Sequence, residues 1–100
     1  MPFRGVPYKF TTKPWQYEGK GAWIFVTLPE KLSNEIRKNF RHEEEGWGRL
    51  KVIALIGKSE WPTAIWFDTK RNTYLLPLKV DIRRKENVEV NSQVEITVFV

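Results

Sequence analysis

Apolar positions recur every second residue in several short runs, and the polar stretches between them carry turn chemistry. From Ala22 to Leu28, Trp23, Phe25 and Thr27 fall on one face of a strand and Ile24, Val26 and Leu28 on the other. Leu50, Val52, Ala54 and Ile56 define a strand over 50–56, and Trp61, Thr63, Ile65 and Phe67 oppose Pro62, Ala64 and Trp66 over 61–67. Val94, Ile96, Val98 and Val100 give the last strand its period of two. Pro7–Trp15 carries Tyr8, Phe10 and Trp15 and predicts a first strand whose far end Pro14 places at an edge or bulge. The turns are Glu18-Gly19-Lys20-Gly21, Gly57-Lys58-Ser59-Glu60 and Asp68-Thr69-Lys70-Arg71-Asn72; the last closes a hairpin onto Thr73–Leu76, and Asn91-Ser92 makes the turn before the final strand.

The period changes after Pro29. Leu32, Ile36 and Phe40 stand at i, i+4 and i+8, so a helix over 30–40 buries one stripe. Pro29 suits a helix start because its missing N–H has no partner to lose there. Glu30 lies near the positive end of the helix, and Arg37, Lys38 and Arg41 toward the negative end. A second, shorter helix over 78–84 rests on Leu78 and Ile82. The chain also repeats a phrase. Residues 24–37 read IFVTLPEKLSNEIR and residues 74–83 read YLLPLKVDIR, each an apolar run ending in Leu-Pro, then a polar segment closing on Ile-Arg. Two pseudo-equivalent strand–Leu-Pro–helix–strand units around one core follow. With six to seven strands in so short a chain, a small closed or partly open barrel protects strand edges better than a flat sheet. The expected fold is therefore mainly β, one barrel domain over 1–100 with one amphipathic helix.

Length and composition narrow the function classes. A 100-residue chain buries roughly 60–65% of the surface it exposes when unfolded, a thin core with no room for a large internal substrate cavity. There is no cysteine, which excludes disulfides, thiolate nucleophiles and sulfur-bound zinc, and one histidine, which excludes a multi-histidine metal site. No cofactor is expected. Met1-Pro2-Phe3-Arg4-Gly5 lacks a signal-peptide core, and no apolar run approaches the roughly 20 residues of a spanning helix. The expectation is a cytoplasmic protein without a membrane contact.

Candidate chemistry is sparse. His42 beside Glu43-Glu44-Glu45 reads as a solvated acidic loop before it reads as an acid–base pair. Ser33, Ser59 and Ser92 sit outside any Gly-x-Ser-x-Gly elbow, and Gly46-Trp47-Gly48 lacks the Lys-Ser/Thr of a phosphate loop. Glu18, Glu60 and Asp68 are the carboxylates that a small hydrolase or isomerase would use, although no spacing asks them to meet. No catalytic residue is assigned. The net charge of +5 favours anionic partners, but the cations interleave with acids. Arg37 and Arg83, the matched arginines of the two repeats, together with Arg84 and Lys85, are the candidate nucleic-acid contacts. Each arginine equally suits the closing of its own helix. Of five tryptophans, Trp23 and Trp61 read as rings that lid the barrel. Trp47 and Trp66 are the candidates for ligand stacking.

The order of these elements carries a resemblance. Trp23-x-Phe25-Val26-x-Leu28-Pro29, Gly48-Arg49-Leu50-Lys51-Val52, Trp61-Pro62-Thr63-Ala64-Ile65-Trp66 and Tyr74-Leu75-Leu76-Pro77-Leu78-Lys79 with Ile82-Arg83 resemble the small proteins of domain of unknown function 1905 over about residues 8–100. The resemblance implies a compact, mainly β barrel with no established role. Where that pattern has Gly-Asp before the last strand, this chain has Asn91-Ser92. More distantly, Leu76-Pro77 through Ile82-Arg83 to Val94–Val100 is similar to one half of the AbrB-like barrels, which bind DNA through arginines near this position. The carry-over reaches only Arg37 and Arg83, and a shared fold does not license a shared function. The reading is a non-catalytic binding or interaction module, its partner another protein or nucleic acid. The alternatives are an AbrB-like nucleic-acid-binding protein and a small carboxylate enzyme.

Overall fold

Alternation along the chain becomes seven strands in one antiparallel sheet: β1 (Pro7–Thr12), β2 (Trp15–Gln16), β3 (Ile24–Thr27), β4 (Arg49–Ile56), β5 (Ser59–Asp68), β6 (Thr73–Pro77) and β7 (Val94–Phe99), in the order β1-β7-β4-β5-β6-β3-β2. Helix α1 spans Glu30–Phe40, as the i, i+4, i+8 pattern predicts, and a shorter α2 spans Val80–Lys85. The computed structural model describes residues 5–19, 21 and 23–100. The expected strand start at Ala22, Lys20 of the first turn and the segment 1–4 lie outside the described residues.

The expected first strand is two strands with a corner between them. β1 pairs with β7, Tyr8 opposite Val98 and Thr12 opposite Val94, whereas β2 pairs with β3, Trp15 opposite Phe25. Only Lys13 and Pro14 separate them. Pro14 has no N–H to give a ladder, is fully buried, and accepts the Asn91 N–H at 3.0 Å. The sheet thus curls into a half-barrel whose two edge strands are neighbours in the chain, which is the partly open form of the expected barrel. Asn91 makes its turn at φ 68°, a left-handed conformation that asparagine tolerates and that the Gly-Asp pattern reaches with glycine.

The interior is filled by the inward residues of the six strands other than β2, among them Phe10, Val26, Leu50, Val52, Ala54, Trp61, Ile65, Tyr74, Leu76, Ile96 and Val98. Ile36 of α1 is fully buried beneath the helix, and Tyr8 meets Phe40 edge to face with centroids 6.4 Å apart. Trp61, read with Trp23 as a lid, is buried within the core. Trp23 does not lid the barrel: it is 56% exposed, because the pleat that buries Ile24 and Val26 turns Trp23 and Phe25 outward.

β3 and β6 pair next to the β2 edge of the sheet, Val26 opposite Leu76. Beyond them Leu28 N–H donates to the Tyr74 carbonyl and Leu78 N–H to the Ile24 carbonyl, both at 2.9 Å. Inside α1, Ser33 Oγ reaches the Leu28 carbonyl at 3.4 Å, and beside α2 Arg83 Nε reaches the Leu78 carbonyl at 3.3 Å. In these bonds Leu28 answers to Leu78 and Ser33 to Arg83, a different correspondence from the Leu-Pro and Ile-Arg matches of the sequence. Ser33 Oγ also accepts the buried Tyr74 N–H at 3.0 Å. Ser33→Ala orphans that donor and is expected to lower stability by about 1–3 kcal/mol, read by urea denaturation, with the β spectrum unchanged. Equal midpoints for the two proteins would show that the N–H has another partner.

Candidate functional site

The sheet's outer face is where folding leaves aromatic surface uncovered. Outward residues of β2, β3, β6 and β5 run side by side: Trp15 opposite Phe25, Phe25 opposite Pro77, and Leu75 opposite Trp66. Phe25 sits at the centre of the ring cluster, 5.4 Å from Trp15, 6.1 Å from Tyr17 and 6.2 Å from Trp23, the last nearly parallel at 20°. Trp15 is fixed by its indole N–H, which donates to Thr27 Oγ1 at 2.8 Å. Between these rings lies an open groove of about 400 Å³, lined by Tyr17, Trp23, Phe25, Trp66, Leu75 and Pro77. Among the described residues no charged side chain lines it.

Cations border the groove. The Arg49 guanidinium lies 5.6 Å from the centre of the Trp66 ring and the Arg71 guanidinium 4.9 Å from that of Trp15. Arg49 pairs with Glu45 at 2.5 Å, Lys51 approaches Glu45 at 3.9 Å, and Arg71 pairs with Asp68 at 2.7 Å.

A second, smaller cavity of about 260 Å³ opens beside α1, lined by Arg37, Glu44, Trp47, Gly48, Phe67 and Thr69. The Arg37 guanidinium stacks on Phe67 with 3.8 Å to the ring centre, and Tyr74 meets the same ring edge-on at 5.1 Å. Tyr74 donates its hydroxyl to Glu44, whose side chain is only 9% exposed and lies 3.5 Å from Arg37 Nε. Burial, and then the hydrogen bond and charge of Glu44, push the Tyr74 phenol well above its ordinary range. The acidic run is therefore not one solvated face. Glu43 is exposed beside His42, Glu44 turns inward, and Glu45 clamps Arg49.

The sequence-derived candidates are distributed over three places. Arg37 and Trp47 share the small cavity, Trp66 belongs to the groove, and Arg83, Arg84 and Lys85 lie on α2. Glu86, which caps α2, accepts a hydrogen bond from Ser59 at 2.6 Å at the start of β5, while Arg37 covers Phe67 near its end. Eight residues of strand, roughly 26 Å at about 3.3 Å per residue, divide those positions. Arg37 and α2 are thus tied to opposite ends of β5. The same length divides Glu60 from Asp68. Sequence reasoning missed Glu44 and Tyr74, and it missed Tyr17, Phe25, Leu75 and Pro77 as groove residues. For the groove the available signal was that both faces of residues 22–28 are apolar, more than one core can absorb.

The sequence matches the profile of the domain of unknown function DUF1905 over residues 10–98. The chain belongs to the DUF1905 family. No curated protein matches it. The match spans the corner, both helices and nearly all the sheet, so the groove and the small cavity both lie within the DUF1905 unit. Among the described residues no helix is long and apolar enough to cross a membrane.

Asp68 anchors the hairpin beside this DUF1905 groove. Burial pushes its carboxyl up, but the Arg71 hydrogen bond, the N–H groups of Lys70 and Arg71 and the Arg71 charge outweigh it and hold the carboxyl below its ordinary 3.8. A lowered folded value stabilises the fold at pH above the unfolded value and loses that contribution as pH falls through the folded one. Asp68→Asn is therefore expected to be less stable than the parent at pH 7 and to converge with it in acid, read as thermal midpoints from pH 7 to pH 2. A pH-independent gap would show that the carboxylate charge is not what Arg71 and the turn hold.

Proposed function

We propose that this chain is a non-catalytic interaction module that seats an apolar side chain of a partner protein in the groove between Tyr17, Trp23 and Trp66. One observation carries the reading: among the described residues the walls of the groove are apolar and aromatic, with Trp23 56% and Tyr17 49% exposed. Large aromatics left in water forgo about 25 cal/mol for every Å² of apolar surface that a partner would cover, and contiguous apolar surface of this kind marks interaction sites. Tryptophan and tyrosine are also the side chains that anchor protein interfaces, being large and having few rotamers to lose.

The walls select the occupant. With no charged side chain among the described residues of the groove, an uncharged group suits it, since a buried charge needs a partner. At the rim the Arg49 and Arg71 guanidinium groups lie against the Trp66 and Trp15 rings, so acidic residues beside the apolar anchor are favoured. The nucleic-acid reading rests on Arg83, Arg84 and Lys85 in the last turn of α2. Arg37 is tied to the other end of β5 from α2, and electrostatic contact of this kind would be salt-sensitive and sequence-blind. The same proposal takes the chain as one barrel domain of two equivalent halves. It is supported by the paired bonds of Leu28 with Tyr74 and Leu78 with Ile24.

Selection from a displayed random-peptide library tests the groove. Peptides carrying a large apolar residue flanked by Asp or Glu are expected to be enriched. Their affinity should fall about tenfold or more, at least 1.4 kcal/mol, for Trp23→Ala and Trp66→Ala, and hold for Trp47→Ala. Enriched peptides that bind Trp23→Ala as well as the parent, or no enrichment, would remove the reading. Binding of oligonucleotides at near-physiological salt, lost with Arg84→Ala, would put nucleic acid in its place.

A further inference from the structure

Trp47 is the least sheltered large side chain among the described residues, 94% exposed, and nothing in the packing of the barrel requires it. The chain nevertheless holds it in a fixed place. Glu45 and Arg49 close the neck of the loop: Glu45 N–H donates to the Arg49 carbonyl at 2.6 Å, Arg49 N–H to the Glu45 carbonyl at 3.3 Å, and their side chains pair at 2.5 Å. Between them Trp47 has φ 67° and Gly48 φ 71°. The left-handed region costs a bulky non-glycine residue free energy, and such strain persists where the surroundings impose it and collects at functional sites. Gly48 is required by contact as well as by φ, since a Cβ there would meet Phe67 Cβ at 3.1 Å.

The cavity below this indole has an arginine with unused donors. Arg37 lies flat on Phe67, and its Nε, buried and without a hydrogen-bond partner, is 3.5 Å from Glu44. Among the described residues no hydrogen bond engages its terminal nitrogens, although the side chain lines the cavity. Stacking fixes the plane of the guanidinium, so its N–H fork is set before a ligand arrives, and a planar fork matches the two oxygens of a carboxylate or phosphate. Glu44 is a wall of the same cavity and would repel an anion, but it accepts the Tyr74 hydroxyl and faces Arg37. Arg41, close enough to act on Tyr74 electrostatically, adds a second positive charge. Two arginines against one carboxylate leave the local balance positive. Thr69 supplies a hydroxyl at the rim.

We propose that the cavity between Arg37 and Trp47 is a binding site for a small aromatic oxyanion, its ring on the Trp47 indole and its carboxylate or phosphate on the Arg37 fork. A volume of about 260 Å³ limits the seated part to a single ring with its anionic group. The site is separate from the apolar groove, because Trp66 and Phe67 are successive residues of β5 and point to opposite faces of the sheet. Its ligand is distinguished from the groove's by needing a negative charge.

Benzoate, phenyl phosphate and neutral benzamide are the probes, titrated into the 15N-labelled protein while the indole N–H signals are followed. Benzoate, phenyl phosphate or both are expected to shift the Trp47 signal and to bind at least about tenfold more tightly than benzamide, the margin of a charge-assisted fork over a neutral contact. A response to phenyl phosphate alone assigns the site to phosphate esters, and a response to both assigns it to oxyanions generally. Trp47→Ala, which removes no buried contact, should weaken the anions about tenfold with an unchanged melting temperature. Arg37→Lys, which keeps the charge and loses the fork, should do the same. Benzamide binding as well as benzoate, no anion shifting the Trp47 signal, or affinity untouched by Trp47→Ala would each overturn the assignment. The comparison of probes on the parent protein decides the matter even if Arg37→Lys fails to fold.

Discussion

The corner at Lys13–Pro14 is the constraint from which the rest of the molecule follows. It carries the first segment from the edge beside β7 to the edge beside β3, so the two edges of the sheet are joined through the backbone instead of through a ladder. A proline can occupy this position because a corner asks no N–H of it. Its carbonyl is taken by Asn91, which ties the corner to the turn before β7. Exposed strand edges invite pairing with other chains, and here the chain's own continuity blunts them.

Closure also decides where functional surface can be. A curled sheet puts one face of its strands inside, and in a chain of this length those residues, with Leu28, Ile36 and Leu78, fill the inside. The helices therefore have nothing to cover on the outer face. α1 drops Ile36 into the core and lays Arg37 over Phe67. α2 packs Ile82 against the core and ties Glu86 to Ser59. Both are engaged near opposite ends of β5, and the outward aromatics of β2, β3, β6 and β5 stay uncovered. The groove is thus a consequence of topology, and the small cavity is what α1 and its following loop leave where they meet the end of β5.

Period-two and period-four patterns made the strands and α1 legible, because a thin core tolerates few polar residues facing inward. The turn at 68–72 was legible for a local reason: Asp68 accepts the Lys70 N–H, and Asn72 takes φ 57°. The direction of the Trp23–Phe25–Thr27 face was not legible, since both faces of that strand are apolar and only the curl of the sheet chooses between them. Glu44 was hidden for a different reason. Three successive glutamates look alike in sequence, and what separates them is the distant Tyr74 hydroxyl and Arg37, which only the packed barrel brings to the middle one. The reciprocal bonds of Leu28 with Tyr74 and Leu78 with Ile24 were not legible either, because matching Leu-Pro pairs aligns side chains, whereas these bonds belong to the backbone.

Charge follows the same logic. A net charge of +5 suggests one anion-binding face, but the fold spends its arginines singly. Arg49 and Arg71 lie against indole rings and pair with Glu45 and Asp68, Arg83 reaches a backbone carbonyl, and Arg37 stacks on Phe67. Exposed pairs such as these contribute little stability each, about 0–1 kcal/mol; their effect is to hold aromatic rings in place. Arg37 differs because its ring partner is buried and its carboxylate neighbour already accepts a tyrosine hydroxyl. An arginine so placed has its plane fixed, and among the described residues no hydrogen bond engages its outer donors.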